Sequence, residues 1–141
     1  MALTNLELVQ TMYESFNRDD FDTIRNEVFS QDLVWNLPGH HPLSGTKNGP
    51  EEVIAFFQQL RKANIQVDLI KLEAWGESTV VEVHRGHGRS GDAVLDALNC
   101  THYEVRDGKI AEVQVYISDQ HAVDQFFWAV YDLAPIPARL G

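Results

Sequence analysis

The sequence predicts a single α+β domain, spanning residues 1–141, in which helices cover one face of a curved antiparallel sheet. Apolar residues recur at helical spacing in the first part of the chain, and four alternating, turn-separated segments follow one another later. A chain of 141 residues, 44% of them hydrophobic, fits one compact domain. We therefore expect a cone-shaped α+β barrel with an internal pocket between the sheet and the helices.

Two helices open the chain. The first is predicted from about Asn5 to Arg18, because its apolar residues form one stripe after the potential caps Thr4 and Asn5. A second, shorter helix follows Asp19-Asp20, which can cap its first turn. The pair is a predicted αα-hairpin.

Two further helices are predicted. Pro50 suits the first turn of a helix that ends near Ala63, because the fixed φ of proline fits that position. Helical spacing returns over Ala122–Leu133, before Pro135 and Pro137 end it. The tail beyond is expected to run extended over the surface.

Five strands complete the prediction. A short strand covers Leu33–Leu37 and stops at Pro38-Gly39, and a loop fills His40–Gly49. The four longer strands lie at about Gln66–Ala74, Thr79–Gly86, Val94–Val105 and Ile110–Ser118. Asp107-Gly108 gives the strongest hairpin signal, so an antiparallel meander is expected.

Charge and cysteine content argue against several partners. Eleven Lys and Arg against 21 Asp and Glu give a formal net charge of −10, the wrong sign for nucleic acid or an anionic membrane. Cys100 is the single cysteine, so no internal disulfide forms and a reducing cytoplasm is the expected location. The N-terminus has no signal-peptide pattern, and no segment has the length and apolarity of a membrane span.

The order αα-β-α-ββββ and several short motifs resemble the nuclear transport factor 2-like (cystatin-like) superfamily. Within it, the chain is most similar to the SnoaL-like polyketide cyclase and ketosteroid isomerase-related branch. The motifs are Phe16-Asn17-Arg18-Asp19-Asp20, Trp35-Asn36-Leu37-Pro38-Gly39, Pro42-Leu43-Ser44-Gly45, Asp107-Gly108-Lys109-Ile110 and Asp119-Gln120. The resemblance implies a hydrophobic pocket for a small apolar molecule, no cofactor, and a homodimer formed through the outer face of the sheet.

When the chain is matched to the ketosteroid isomerase pattern, it has different residues at all three key positions. Asn36 falls where that family has its general-base aspartate, and an amide cannot take the proton. Met12 falls at the oxyanion-hole tyrosine and Thr101 at the protonated aspartate. Steroid isomerisation by that mechanism is therefore not expected.

The resemblance to SnoaL-like cyclases instead implies an aspartate near the end of a late strand that acts as both acid and base. Asp119 has such a position, and alternation places it on the same face as Val115 and Ile117. Beside apolar walls a carboxylate loses hydration, which favours proton abstraction near neutral pH. Asp119 can equally be the N-cap of the last helix, and both interpretations stay open.

Other polar residues are pocket candidates with ordinary alternatives. On the next-to-last strand, alternation groups Asn99, Thr101 and Tyr103 against Leu98 and Cys100, and an inward first set would orient a ligand carbonyl or hydroxyl. Ordinary packing with backbone or water partners explains the same residues. The candidate substrate-binding residues are Tyr13, Phe16, His40, Phe57, Asn99, Thr101, Tyr103, Val115 and Ile117.

The six histidines do not have metal-ligand spacing. His84 and His87 are three apart on a strand and so face opposite ways, while His40 and His41 are adjacent on the loop over the pocket mouth. No metal is expected. His84 remains a candidate for proton shuttling beside Asp119.

Two functions follow, one catalytic and one not. In the first, Asp119 abstracts or returns a proton on an apolar carbonyl compound with help from His84. Asn36, Thr101 and Tyr13 position the developing enolate. In the second, the cone is a ligand-binding or dimeric interaction module. If Asn36 faces the pocket, Trp35 lies on the outer face and joins a dimer interface there.

Overall fold

The computed structural model describes residues 3–131. Two sequence-based expectations therefore lie outside the described residues: the end of the last helix at Leu133, and the extended tail that contains Pro135 and Pro137.

Helices and strands follow the predicted order, with one additional strand. The helices are α1 (Asn5–Asn17), α2 (Phe21–Thr23, continued by a π-helical turn at Ile24–Val28), α3 (Pro50–Lys62) and α4 (Gln120–Val130). The strands are β1 (Phe29–Leu37), β2 (Gly45–Asn48), β3 (Ile65–Trp75), β4 (Thr79–Ser90), β5 (Ala93–Arg106) and β6 (Lys109–Ile117).

The six strands form one curved sheet in the order β2-β1-β6-β5-β4-β3. Strands β3 to β6 are the predicted antiparallel meander, but β1 runs parallel to β6, so the sheet is mixed. The sheet is open, with β2 and β3 as its edges. The predicted fold class, α+β with helices on one face of a curved sheet and a pocket between them, is confirmed, and the curved sheet remains unclosed.

Helix starts agree with their capping residues. Thr4 and Glu7 form a capping box, with Thr4 Oγ1 accepting from the Glu7 N–H at 3.1 Å and Glu7 Oε1 accepting from the Thr4 N–H at 2.9 Å. Asp20 caps α2 through the Thr23 N–H. Pro50 is the first residue of α3.

The hairpin between β5 and β6 turns at Asp107 and Gly108. Both have positive φ, 53° and 74°, as a two-residue turn of this kind requires. The helix starts and this turn depend on neighbouring residues only, which explains why sequence patterns located them.

Three strand predictions were incomplete. Strand β1 begins at Phe29, four residues before the predicted start, and β4 ends at Ser90, four residues after the predicted end. Strand β2 lies within the predicted loop His40–Gly49. The exposed segment Gly45–Asn48 carries no alternating apolar pattern, and it is a strand because it pairs with β1 from Leu37↔Gly45 to Val34↔Asn48.

One face of the sheet supplies the pocket wall. Across β4, β5 and β6 the inward residues form two rows, Glu82–Thr101–Val115 and His84–Asn99–Ile117, because paired residues in adjacent strands point to the same face. A bulge between Leu69 and Lys71 changes the facing of β3, which leaves Ile70 exposed.

The facing of β1 is opposite to the expectation. Trp35 is 5% exposed and pairs with the inward-facing Val113, whereas Asn36 pairs with Gln114 on the outer face. The apolar alternation of Leu33, Trp35 and Leu37 buries these side chains and leaves the amide outside. The placement of Trp35 on the outer face was therefore wrong.

Candidate functional site

The pocket lies between the sheet and helices α1, α3 and α4. It has a volume of about 110 Å³, and its walls are predominantly apolar. Its lining residues are Met12, Tyr13, Phe16, Trp35, Leu37, His41, Phe56, Phe57, Leu60, Ile65, Val67, His84, Gly86, Leu95, Ala97, Asn99, Thr101, Tyr103, Val115, Ile117, Val123 and Phe127.

A buried carboxylate lies directly behind one end of this wall. Glu82 is 1% exposed, and its Oε1 accepts hydrogen bonds from Tyr13 Oη at 2.7 Å and Tyr103 Oη at 3.1 Å. Nδ1 of His84 lies 3.0 Å from both carboxylate oxygens. Three pocket-lining side chains thus share one buried glutamate.

The donors around Glu82 define the state of His84. An ionised carboxylate only accepts hydrogen bonds, so the tyrosine hydroxyls and the Nδ1–H of His84 all donate to it. In the Nδ1–H tautomer the lone pair of the ring is on Nε2, and no described residue hydrogen-bonds to that atom. His84 therefore presents a basic nitrogen held in place by a carboxylate.

The two tyrosines remain protonated donors. Burial raises the pKa of Tyr13 and of Tyr103 well above the usual value of 10.0, and the charge of Glu82 adds to both shifts. Neither hydroxyl releases its proton near neutral pH, so both keep their hydrogen bonds to Glu82.

Two neutral polar side chains lie beside this cluster on the pocket wall. Asn99 is directly opposite His84 in the β4–β5 register, and its Nδ2 donates to the Ala97 carbonyl at 3.3 Å. Thr101 is opposite Glu82, is 1% exposed, and its hydroxyl has no hydrogen-bond partner among the described residues. Both can orient a ligand oxygen next to His84.

A second histidine, His41, lines the pocket from the β1 side. It is 5% exposed and its ring stacks on Phe127 with the centroids 4.7 Å apart. Nδ1 accepts from the Leu43 N–H at 3.1 Å, while Nε2 is buried without a hydrogen-bond partner among the described residues. Burial lowers the pKa of His41 to about 4.

The loop that carries His41 is attached to α4. The His40 N–H donates to both carboxylate oxygens of Asp124, at 3.3 and 3.2 Å, and Trp128 Nε1 donates to the His40 carbonyl. Gln120 Nε2 donates to Asp124 Oδ1 at 2.8 Å. These contacts hold the loop against α4 and thereby fix the position of the His41 ring.

Asp119 does not lie in the pocket. Its side chain is exposed and accepts from the Ala122 N–H at 3.0 Å, as the N-cap of α4. Strand β6 ends at Ile117, so the alternation used to place Asp119 beside Val115 no longer applies two residues later. The capping interpretation describes its contacts, and the expected position at the pocket lip is corrected.

Two other candidates lie outside the pocket. Asn36 is on the outer face, where Thr46 Oγ1 donates to its Oδ1 at 2.9 Å across the β1–β2 pair. His40 is exposed, and its backbone rather than its ring makes the contacts with α4. The remaining predicted site residues line the pocket: Tyr13, Phe16, Phe57, His84, Asn99, Thr101, Tyr103, Val115 and Ile117.

Sequence reasoning missed Glu82, although a signal was present. Glu82 precedes the candidate His84 by two residues and therefore shares its face of the strand. The neighbouring Val81 and Val83 face the other way, so Glu82 lies on the pocket side of the strand between two residues of the outer face. Within residues 3–131, no cluster of three or more His, Cys, Asp or Glu residues has a metal-binding arrangement.

The model of the SnoaL-like domain family matches residues 9–113. The chain belongs to the SnoaL-like family. A curated relative, uncharacterized protein Rv0034 of Mycobacterium tuberculosis, is 27% identical over 128 residues, which cover 89% of this chain and 96% of the relative. The resemblance to the nuclear transport factor 2-like superfamily and its SnoaL-like branch is confirmed.

Solved structures share the fold of this SnoaL-like domain. Bal32a from a soil-derived mobile gene cassette superposes with a TM-score of 0.81 at 25% identity, covering 86% of this chain and 94% of its own. A cystatin-like protein of unknown function from Xanthomonas campestris gives 0.79 at 22% identity, covering 89% and 98%. No helix among the described residues is long and apolar enough to cross a membrane.

Proposed function

We propose that this SnoaL-like domain catalyses cofactor-independent proton transfer on a small, largely apolar carbonyl compound, with His84 as the acid and base. The observation that carries the proposal is the hydrogen bond between buried Glu82 and Nδ1 of His84, a pocket-lining ring whose Nε2 has no hydrogen-bond partner within residues 3–131. A neutral imidazole backed by a carboxylate is a general base suited to neutral pH.

The proposed step breaks one C–H bond next to the substrate carbonyl. Nε2 of His84 takes the proton, and the C–H electron pair moves into the carbonyl to give an enolate. The imidazolium then returns a proton to carbon, either at the same position or at a conjugated one. No redox partner or added group is needed, because every proton removed is returned.

Glu82 acts as a positioning residue in this scheme. It fixes the Nδ1–H tautomer of His84 and offsets the positive charge that the ring gains in the step. Tyr13 and Tyr103 hold the carboxylate by donating to it. Glu82 does not line the pocket, so we assign it no direct contact with substrate.

The pocket walls define the substrate class. Aromatic and aliphatic side chains favour an apolar body, while Asn99 and Thr101 offer the polar hydrogens for a carbonyl oxygen beside His84. The net charge of −10 disfavours anionic substrates.

Deuterium exchange tests this proposal without knowledge of the natural substrate. The probe is 2-tetralone, a bicyclic ketone with acidic C–H bonds next to its carbonyl, incubated with the protein in D₂O and followed by NMR. We expect protein-dependent exchange that His84→Gln lowers by roughly 100-fold or more, the usual contribution of a general base.

His102 provides the matched control. It lies on the outer face of β5, where Nε2 is 3.3 Å from Glu104, so it repeats the histidine–glutamate pair outside the pocket. His102→Gln should leave exchange unchanged. Equal exchange by the wild type and His84→Gln would overturn the catalytic role.

A non-catalytic ligand-binding domain is the second candidate. Two observations support it as well: Asp119 caps α4, and the pocket walls are largely apolar. Neither observation requires proton transfer. It predicts saturable binding of 2-tetralone with no exchange above the buffer rate.

A further inference from the structure

Two buried polar atoms of the pocket wall have no function in the proposed step and no hydrogen-bond partner among the described residues: Nε1 of Trp35 and Nε2 of His41. His41 is the stronger candidate for a ligand contact, because a hydrogen bond to its other ring nitrogen fixes its tautomer. His41 is 5% exposed and lies on the pocket wall, and its Nε2 is buried without a hydrogen-bond partner among the described residues. Buried polar groups are nearly always paired, so an orphaned one beside a cavity indicates a missing ligand contact.

The tautomer of His41 follows from its other nitrogen. The Leu43 N–H donates to Nδ1 at 3.1 Å, so Nδ1 carries a lone pair and the proton of the neutral ring is on Nε2. The His41 carbonyl and N–H also bond to Ser44, which fixes the turn. The unpaired atom is therefore an N–H donor on an immobilised ring.

His41 stays uncharged under ordinary conditions. Its pKa is lowered to about 4, mainly by burial. Of the charged groups on the elements packed around it, Asp124 raises the pKa and Lys47 lowers it, both by less than burial does. Stacking on Phe127 covers one side of the ring. The donor is thus neutral, and it lacks the positive charge with which an imidazolium would attract a carboxylate or phosphate.

The two pocket histidines come from different elements. His41 lies in the loop between β1 and β2, whereas His84 is on β4, and strands β6 and β5 lie between β1 and β4 in the sheet. A ligand that reaches both histidines carries polar groups at two separated positions.

We propose that His41 is a binding residue that donates Nε2–H to a neutral acceptor oxygen of the ligand, at the end remote from the reacting carbonyl. The ligand class is then an apolar compound with a carbonyl at one end and an ether, ester or second carbonyl oxygen at the other. This inference rests on the proposed function for the position of the reacting end.

Two ketones of equal length test the acceptor. In 6-methoxy-2-tetralone an oxygen takes the place of one methylene group of 6-ethyl-2-tetralone. The dissociation constants of both compounds are measured by calorimetry. We expect the wild type to bind the methoxy compound about fivefold more tightly, the effect of one neutral hydrogen bond.

Two variants separate the Nε2–H from the role of Nδ1. His41→Asn keeps an acceptor near Nδ1 for the Leu43 N–H but has no donor at the Nε2 position, so the preference for methoxy should vanish. His41→Gln has an amide N–H near Nε2 and should retain part of the preference. Melting temperatures of both variants verify that the loop and α4 remain folded.

The outcomes distinguish this inference from the proposed function. A methoxy preference that disappears in His41→Asn supports the inference, even if no exchange occurs and the catalytic proposal fails. Exchange with equal affinity for both ketones overturns the inference and leaves catalysis intact. A preference unchanged in a folded His41→Asn also overturns it, and no saturable binding of either ketone contradicts both.

Discussion

Glu82 and His84 lie two residues apart on β4, and the buried carboxylate of the first holds Nδ1 of the second at 3.0 Å from both of its oxygens. The two side chains share a face because strands alternate, yet only His84 reaches the pocket. This separation of a hidden carboxylate from an accessible imidazole leads to the first prediction.

Glu82→Gln should lower the maximal exchange rate of 2-tetralone by roughly 100-fold while its KM changes little, since Glu82 orients His84 without touching the ligand. NMR exchange over a range of ketone concentrations gives both constants. Glu104→Gln, which alters the matching pair on the outer face, is the control. A rise in KM with an unchanged maximal rate would contradict the positioning role.

Alkaline pH should destabilise the protein through Tyr13 and Tyr103. Both pKa values are raised above 10.0 in the folded state, so their stabilising contribution is complete below pH 10 and is lost as pH rises through the folded-state values. Urea unfolding between pH 8 and pH 11 should therefore show falling stability. Tyr103→Phe should reduce this slope, and an identical slope in the variant would be the contrary result.

Acid pH should also destabilise the protein, through protonation of His41. Its folded pKa of about 4 lies below the ordinary 6.5, so the neutral buried ring is compatible with the fold above pH 6.5 and stability falls as pH drops toward 4. The loss should reach up to roughly 2 kcal/mol after allowing for partial solvent screening. The measurement is the difference in unfolding free energy between the wild type and His41→Asn, which should narrow across this window.

Asp119→Ala should cost about 1 kcal/mol of unfolding free energy, because the Ala122 N–H loses its cap. Asp119→Ser keeps a capping oxygen and should recover most of that loss. Exchange of 2-tetralone should be unchanged in both, since Asp119 lies outside the pocket. Loss of exchange in a stable Asp119→Ser protein would restore the aspartate as a candidate base.

The outer face of the sheet should form a homodimer, as we propose from its exposed apolar side chains. Leu98 and Tyr116 are 48% and 58% exposed, and they lie around the half-buried Cys100. Light scattering should give twice the chain mass, and Leu98→Glu should give the monomer. Ile70→Glu, at an equally exposed position on the edge strand β3, is the control that should remain dimeric.

The sequence by itself determined the elements whose signals are local. Thr4 starts α1, Pro50 starts α3, and Asp107-Gly108 makes the last hairpin. In each case the hydrogen bonds or backbone angles involve residues within a few positions of one another. Because such interactions join residues that are close in sequence, a short segment of the chain is enough to predict them.

The tertiary structure decided which side chains meet. Trp35 lies beside Val113 because β1 pairs with β6, which is far along the chain, and Asp119 leaves the pocket because β6 ends before it. Glu82 gathers Tyr13 from α1 and Tyr103 from β5, across 69 and 21 positions. Strand pairing and helix packing fix these distances, and neither is encoded in the neighbours of any one residue.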